Sequence, residues 1–280
     1  MEKIAVVGGG LVGAMEAAYL AQEGFKVELF EQRDDIRKAE QVGGKSINLA
    51  LSDRGWKALR GIAMEDEIRN IAIPMRGRRI HDIKGNITFQ PYGIEDQSIW
   101  SVSRGDLNKR LLQKADGFDN CTLFFNHKCT GIDLKTNTLK FEFEGEKIHK
   151  KFDRIIGADG AFSAVRNKLE RMPRFNYSQY YLEHGYKELS IPSTSENIHL
   201  IAPNALHIWP RGGFMLIALA NLDGSFTVTL FLSFEGEYSF EKLKSEKAIN
   251  DFFEEQFPDA LDLMPNLIEE FKSNPTSSLV

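Results

Sequence analysis

Apolar residues along this chain change their spacing several times, and each change marks an element. Residues 4–7 form an unbroken apolar run, as a parallel strand buried on both faces requires. Glycines follow at 8, 10 and 13, and residues 12–22 carry a helical pattern that stops at Gly24. Residues 26–31 read as a second strand. The stretch 33–45 is charged and glycine-broken, a loop leading into SINLALS at 46–52. Asp53 reads as a cap for a helix over 54–60, and 65–70 keep helical character. From residue 71 the texture turns to strands, with a turn at 84–86. A capped amphipathic helix returns in SVSRGDLNKRLLQKA, with Ser103 as cap and Leu107, Leu111 and Leu112 on one face.

Strands are then expected over 122–125, 129–134, 139–143 and 152–156, with a helix over 163–169. After Pro173 the pattern is mostly β, at 186–191, 206–209, 214–219 and 226–234, with Asp223-Gly224 as a hairpin turn. An amphipathic helix is predicted over 240–257. The fold class is therefore α/β: a Rossmann-like nucleotide-binding domain (1–70 and 98–172) interleaved with a mostly β domain (71–97 and 173–280).

The glycines carry the first chemistry. Gly8, Gly10 and Gly13 fit G-x-G-x-x-G directly after a strand and at the start of a helix. The first permits the tight turn, the second lets a pyrophosphate approach the backbone, and the third lets helix and strand pack closely. The helix N-terminus offers free N–H groups to phosphates. Glu31 closes the second strand, where such a unit needs a carboxylate to accept from a ribose. An acid there favours FAD or NAD over a 2′-phosphorylated nucleotide, although Arg33 works against that charge argument.

Bulk properties narrow the field. With 280 residues, 42% of them hydrophobic, the chain can bury one large core or two smaller ones. A net charge of −5 and a pI near 5.8 provide no footprint for nucleic acid or anionic membrane. Cys121 and Cys129 are the only cysteines, without metal-ligand spacing, so a reduced compartment fits. No apolar run is long enough to span a bilayer, and the first strand begins at once, leaving no room for a leader. A cytoplasmic location is expected.

Other residues are ambiguous on pattern alone. Asp159-Gly160 follows a strand and precedes a helix, so Asp159 is either a helix cap or part of a second cofactor loop. Arg104 either reaches a phosphate or covers the surface. Arg76 and Arg78 share a strand face, as a solvated charge run or as a carboxylate clamp. Tyr92 could donate its hydroxyl beside them or simply pack. His81, His127, His184 and His207 lack ligand spacing and read as structural. No nucleophilic triad is legible, so the hard chemistry would fall to a cofactor.

Taken together, GGGLVG (8–13), FEQR (30–33), SINLALSDRG (46–55), IPMRGR (73–78), PYG (91–93), SVSRGDLNK (101–109), GADGAFSAVR (157–166), HGYKEL (184–189) and LHIWPRGGFMLIALANLDG (206–224) resemble one family. It is the class A FAD-dependent aromatic hydroxylases, and specifically the branch acting on kynurenine. The resemblance extends over nearly the whole chain. It implies FAD held by Gly8, Gly10, Val12, Gly13, Glu31 and Arg33, with Ala50, Arg104 and Cys129 nearby. The family more usually has Leu where Cys129 stands. The resemblance also implies that Asp159-Gly160 serves both FAD and NADPH, and that Arg78 and Tyr92 hold the amino-acid end of L-kynurenine. The implied reaction consumes NADPH and O₂ and hydroxylates the ring carbon ortho to the amine, giving 3-hydroxy-L-kynurenine.

The family's second flavin motif, a Gly-Asp followed by small residues and His, is expected soon after PTSSLV, where this sequence stops at Val280. The expectation is an N-terminal part of such an enzyme that alone binds FAD weakly and does not turn over. The alternatives are another FAD-dependent hydroxylase, a geranylgeranyl-type reductase, or a non-catalytic flavin-binding remnant.

Overall fold

The computed structural model of the protein describes residues 1–38, 47–93 and 97–280. In chain order the elements are β1 (Lys3–Val7), α1 (Leu11–Gln22), β2 (Lys26–Phe30), β3 (Asn48–Leu51), α2 (Asp53–Gly61) and α3 (Glu65–Arg69). Next come β4 (Ala72–Met75), β5 (Gly77–His81), β6 (Ile87–Pro91), β7 (Ile99–Ser103), α4 (Arg104–Asp116) and β8 (Cys121–Phe124). These are followed by β9 (Lys128–Asp133), β10 (Thr138–Phe143), β11 (Glu146–Lys151), β12 (Arg154–Gly157), α5 (Ala164–Leu169) and β13 (His184–Ile191). The last are β14 (Leu206–Arg211), β15 (Phe214–Ala220), β16 (Phe226–Ser233), α6 (Glu246–Gln256), α7 (Pro258–Leu261), α8 (Leu267–Ser273) and β17 (Thr276–Ser278).

The chain forms two compact units. The first comprises residues 1–42, 59–64 and 104–179, and the second 43–58, 65–103 and 180–280. These bounds cut differently from the sequence-based domains, because β3 pairs with β7 and β7 with β4, tying residues 48–51 to the second unit.

The first unit is built on a parallel sheet in the order β12-β1-β2-β8. β1 lies between β2 and β12, so the strand order reverses beside it, and in open parallel sheets ligands bind outside the carboxyl ends of the strands at such a reversal. β1 and β2 are mostly apolar because both faces are covered: Ala5, Val6, Val27 and Leu29 are wholly buried, and the one buried acid, Glu28, is paired with Lys3 and Lys150. Phe30 stacks on Phe141 at 4.2 Å and on Phe124 at 4.9 Å, joining this sheet to the antiparallel β11-β10-β9 sheet.

The second unit is dominated by a seven-stranded sheet, β17-β13-β16-β15-β14-β5-β6. Alternation sends Trp209, Leu216, Ala218, Val228 and Leu230 to one face, where α6, α7 and α8 bury them with Phe253 and Phe257. Lys187 points to this same face and is buried. Its ammonium donates to the carbonyls of Phe271 at 2.9 Å and Asn274 at 2.7 Å, so it closes the C-terminus of α8 as a cation should. Burial lowers its pKa.

Several sequence-based expectations change. Asp53 lies inside the first turn of α2 instead of preceding it. The helix expected over 240–257 begins only at Glu246, where the Ser245 hydroxyl accepts from the Ala248 N–H at 3.2 Å. Phe240 and Leu243 still enter the core, which is why the apolar pattern began early. Within the expected loop 33–45, residues 39–45 lie outside the described residues, as does Ser46 of the SINLALS motif. Among the described residues no helix is long and apolar enough to cross a membrane.

Candidate functional site

In the first unit the glycine turn is assembled as the spacing requires. Gly8 has φ +106°, closed to ordinary side chains, and its N–H donates to the Phe30 carbonyl at 2.7 Å. A Cβ on Gly8 would stand 2.4 Å from the Ala158 carbonyl oxygen, and one on Gly13 1.8 Å from the Gly8 carbonyl oxygen. Gly10 differs: nothing lies within 4 Å of a Cβ built there, and its φ of −72° suits any residue. Two of these glycines thus serve the protein's own packing, while the third faces open space at the N-terminus of α1. That 12-residue helix has no side-chain cap, so its first N–H groups stay available to an anion. Val12 stands 72% exposed beside them.

Glu31 lies immediately after β2 and is buried. Its Oε2 accepts from the Gly9 N–H at 2.7 Å, and its Oε1 accepts from the Arg33 N–H at 3.0 Å and Nε at 2.9 Å. Burial works to raise the Glu31 carboxyl, but the Arg33 side chain and the two backbone N–H groups outweigh it, and the net displacement is downward. A carboxylate has about four acceptor positions, so one on Oε2 stays open for a ribose hydroxyl. The arrangement fits a dinucleotide.

Linkage fixes the sign of a stability prediction. Because the folded value is depressed, Glu31 contributes stability above its ordinary value of 4.5, and the contribution is lost as pH falls through the lower folded value. Glu31→Gln is expected to cost about 1–2 kcal/mol near pH 7, with the difference from the parent vanishing in acid. Urea unfolding at both pH values measures it; a difference that persists in acid would remove the carboxylate from the account.

The Asp159 loop meets the glycine turn within this unit. A Cβ on Gly8 would also come within 2.9 Å of the Asp159 Cα. Ser163 is the N-cap of α5, its hydroxyl accepting from the Arg166 N–H at 2.9 Å, and Asp159 braces this cap: Oδ2 accepts from the Ala164 N–H at 2.7 Å and Oδ1 from the Ser163 hydroxyl at 2.5 Å. Gly160, at φ +79°, lets the loop turn and has open space where a side chain would be. Cys129 sits half-buried in β9, its thiol pushed up to about 11 by burial, so it is no nucleophile at neutral pH. Arg104 is exposed at the start of α4, whose Asn108 amide donates to the Gly9 carbonyl at 3.1 Å. Asn108 was not legible as a site residue, since a polar residue beside an apolar stripe carries no signal of what it meets.

Ala50, Arg78 and Tyr92 belong to the second unit. Ala50 is exposed in β3, paired with Ser101. Arg78, in β5, holds its guanidinium 4.9 Å over the Tyr92 ring, whose residue follows β6. The Tyr92 hydroxyl is buried, without a hydrogen-bond partner among the described residues, and burial pushes the phenol up while Arg78 pulls it down. Strand register then continues this face of the sheet. Leu206 lies beside Arg78, and Ile80, Ile208 and Ile217 follow one another across β5, β14 and β15. These are half-buried apolar residues on the side away from Trp209 and Leu216.

The chain belongs to the FAD binding domain family, whose profile matches residues 1–275. It is 49% identical over 280 residues to the kynurenine 3-monooxygenase of Flavobacterium johnsoniae, covering 99% of this chain and 62% of that protein. To the kynurenine 3-monooxygenase of Sus scrofa it is 44% identical over 281 residues, covering 99% of this chain and 59% of the relative. The chain thus spans about 60% of the length of these curated relatives. In fold it is similar to 2-methyl-3-hydroxypyridine-5-carboxylic acid oxygenase, with a TM-score of 0.75 at 18% identity over 99% of this chain and 70% of that one.

Proposed function

We propose that this chain carries the FAD-binding and substrate-recognition parts of an NADPH-dependent hydroxylase that converts L-kynurenine to 3-hydroxy-L-kynurenine with O₂. Residues 1–70 and 98–172 serve the flavin, and 71–97 and 173–280 the substrate. The observation that carries this reading is the Arg78–Tyr92 pair at the edge of an apolar sheet face. A buried hydroxyl with no hydrogen-bond partner among the described residues, beside a guanidinium, calls for a ligand with a carboxylate, and the isoleucine row beyond it calls for an aromatic body. An aromatic α-amino acid has both, and the relatives' names supply the particular one.

In this reading Gly8, Gly10, Val12 and Gly13 hold the pyrophosphate of FAD at the start of α1. Glu31, oriented by Gly9 and Arg33, accepts from the adenosine ribose, and Ala50, Arg104 and Cys129 line the cofactor further along. Asp159 and Gly160 serve FAD and NADPH together, with Asp159 shaping the loop through its bonds to Ser163 and the Ala164 N–H. When bound, FAD supplies the redox chemistry, passing electrons from NADPH to O₂. The residues of this chain orient and exclude. Arg78 fixes the amino-acid end, Tyr92 donates to it, and Ile80, Ile208 and Ile217 keep water from the ring. The amine of kynurenine already activates the ring, so positioning is the larger part of what the protein must provide.

The test is calorimetric titration of the chain with L-kynurenine, L-tryptophan and anthranilate. Selective binding of L-kynurenine supports the assignment. Equal affinity for anthranilate, which lacks the amino-acid end, would contradict the role of Arg78.

A further inference from the structure

Two histidines 126 positions apart, both read from the sequence as isolated, meet in the second unit. His81, in β5, and His207, in β14, are 2% and 1% exposed. His207 Nε2 faces the Ala202 carbonyl at 2.9 Å, and a carbonyl only accepts, so Nε2 carries the proton and Nδ1 is the acceptor. His81 Nε2, 2.8 Å away, must then donate to it. The other nitrogen of His81 lies 2.7 Å from Asp259 Oδ2 of α7, so one line of polar contacts runs from the Ala202 carbonyl through both rings to a carboxylate. Trp209 Nε1 donates to the same oxygen at 2.9 Å and its ring stacks on His81 at 4.1 Å. Burial keeps His207 neutral, its pKa lowered to about 4.

Two histidines buried on a half-buried carboxylate are an expensive way to stabilise a core, since apolar residues of similar size often do as well. The best attested use of such a group is to fix register, and β5 and β6 form the outermost hairpin of the sheet. The hairpin joins the sheet through three parallel pairs to β14, and every residue of β6 is exposed, so burial alone specifies its position weakly. A one-residue slip of β5 would turn Arg78 to the opposite face.

We propose that His81, His207 and Asp259 are positioning residues that lock the register of the β5–β6 hairpin and thereby aim Arg78 and Tyr92 at the ligand. Arg211 assists from the same side, donating to the His81 carbonyl at 3.1 Å and, through Nε, to the Gln256 carbonyl at the end of α6. The consequence for ligand binding rests on the reading of Arg78 given above, whereas the lock itself does not.

The experiment compares the parent chain with Asp259→Asn and with the apolar triple variant His81→Met/His207→Leu/Asp259→Leu. Amide hydrogen exchange, melting temperature and L-kynurenine affinity are read for each. Exchange in residues 77–91 is expected to quicken about tenfold in both variants while β13 and β16 keep their protection, and Asp259→Glu should restore it in part. The triple variant should melt at or above the parent's temperature yet bind L-kynurenine about tenfold more weakly, an effect absent in an Arg78→Ala background. Unchanged exchange at 77–91, or loss of protection spread evenly over the whole sheet, would overturn the lock. If Arg78→Ala alone leaves affinity untouched, the substrate reading fails, and the exchange data still decide the lock.

Discussion

Replacing Arg78 with alanine is expected to weaken L-kynurenine binding about a hundredfold, roughly 3 kcal/mol, with melting temperature and FAD affinity unchanged. The size follows from what is removed. A guanidinium can bind a carboxylate through two parallel charge-assisted hydrogen bonds, each worth about 1.5–3 kcal/mol where water is excluded. Arg78 is exposed in this structure, so the lower part of that range applies until a ligand covers it. The fold is spared because Arg78 touches the Tyr92 ring and supports no core residue. Arg78→Lys keeps the charge but loses the fork, and should fall between, near tenfold. Calorimetric titration measures all three proteins. An alanine variant that binds as the parent does would leave the carboxylate clamp without support.

The glycine turn yields the second large effect, as a contrast between neighbours. Gly13→Ala forces a methyl to within 1.8 Å of the Gly8 carbonyl oxygen, a backbone atom that cannot yield without dragging β1 and the Ala158 contact with it. About 3 kcal/mol or more of stability should be lost. Gly8→Ala adds a forbidden φ to a 2.4 Å contact with the Ala158 carbonyl oxygen and belongs with it. Gly10→Ala meets nothing within 4 Å, and its backbone already suits alanine. Reduced freedom of the unfolded chain and a slightly poorer helix cap oppose each other there by a few tenths of a kcal/mol, so the net change is near zero. Urea unfolding of the three variants would rank them. Equal losses at all three positions would mean that the turn serves folding alone.

What the sequence made legible follows from how local each signal was. The first 31 residues carried their meaning in consecutive positions: an apolar strand, glycines at 8, 10 and 13 in a fixed spacing, and an acid directly after β2. The apolar face of α4, with Leu107, Leu111 and Leu112, was readable for the same reason. By contrast, β11 reads EKIHKK, polar but for Ile148, because it is an edge strand that buries little and is specified by its pairing with β10. The helix expected from 240 was drawn too early because Phe240 and Leu243 fill the core from irregular backbone.

At the site, pattern alone left Asp159 open between cap and cofactor loop. In the structure Ser163 is the N-cap of α5 and Asp159 braces it, with its loop set against Gly8. Arg78 and Tyr92 are 14 positions apart, and only the β5–β6 hairpin stacks them. Asn48 is a further example. Its amide donates to Ser101, Ala220 and Asn221, binding the end of β15 to the β3–β7 pair, contacts that span up to 173 residues of sequence. The His81–His207–Asp259 chain was hidden for the same reason, since nothing in a scattered histidine announces a partner brought to it by parallel strands.

The most direct test of the account is a titration of FAD against the purified chain and its Gly10→Val variant, followed by flavin fluorescence, with melting curves alongside. The account predicts saturable binding by the parent and binding at least about tenfold weaker in the variant, at an unchanged melting temperature, because the added side chain fills only the space kept for the pyrophosphate. Equal FAD binding by both proteins would contradict it and move the cofactor away from the glycine turn.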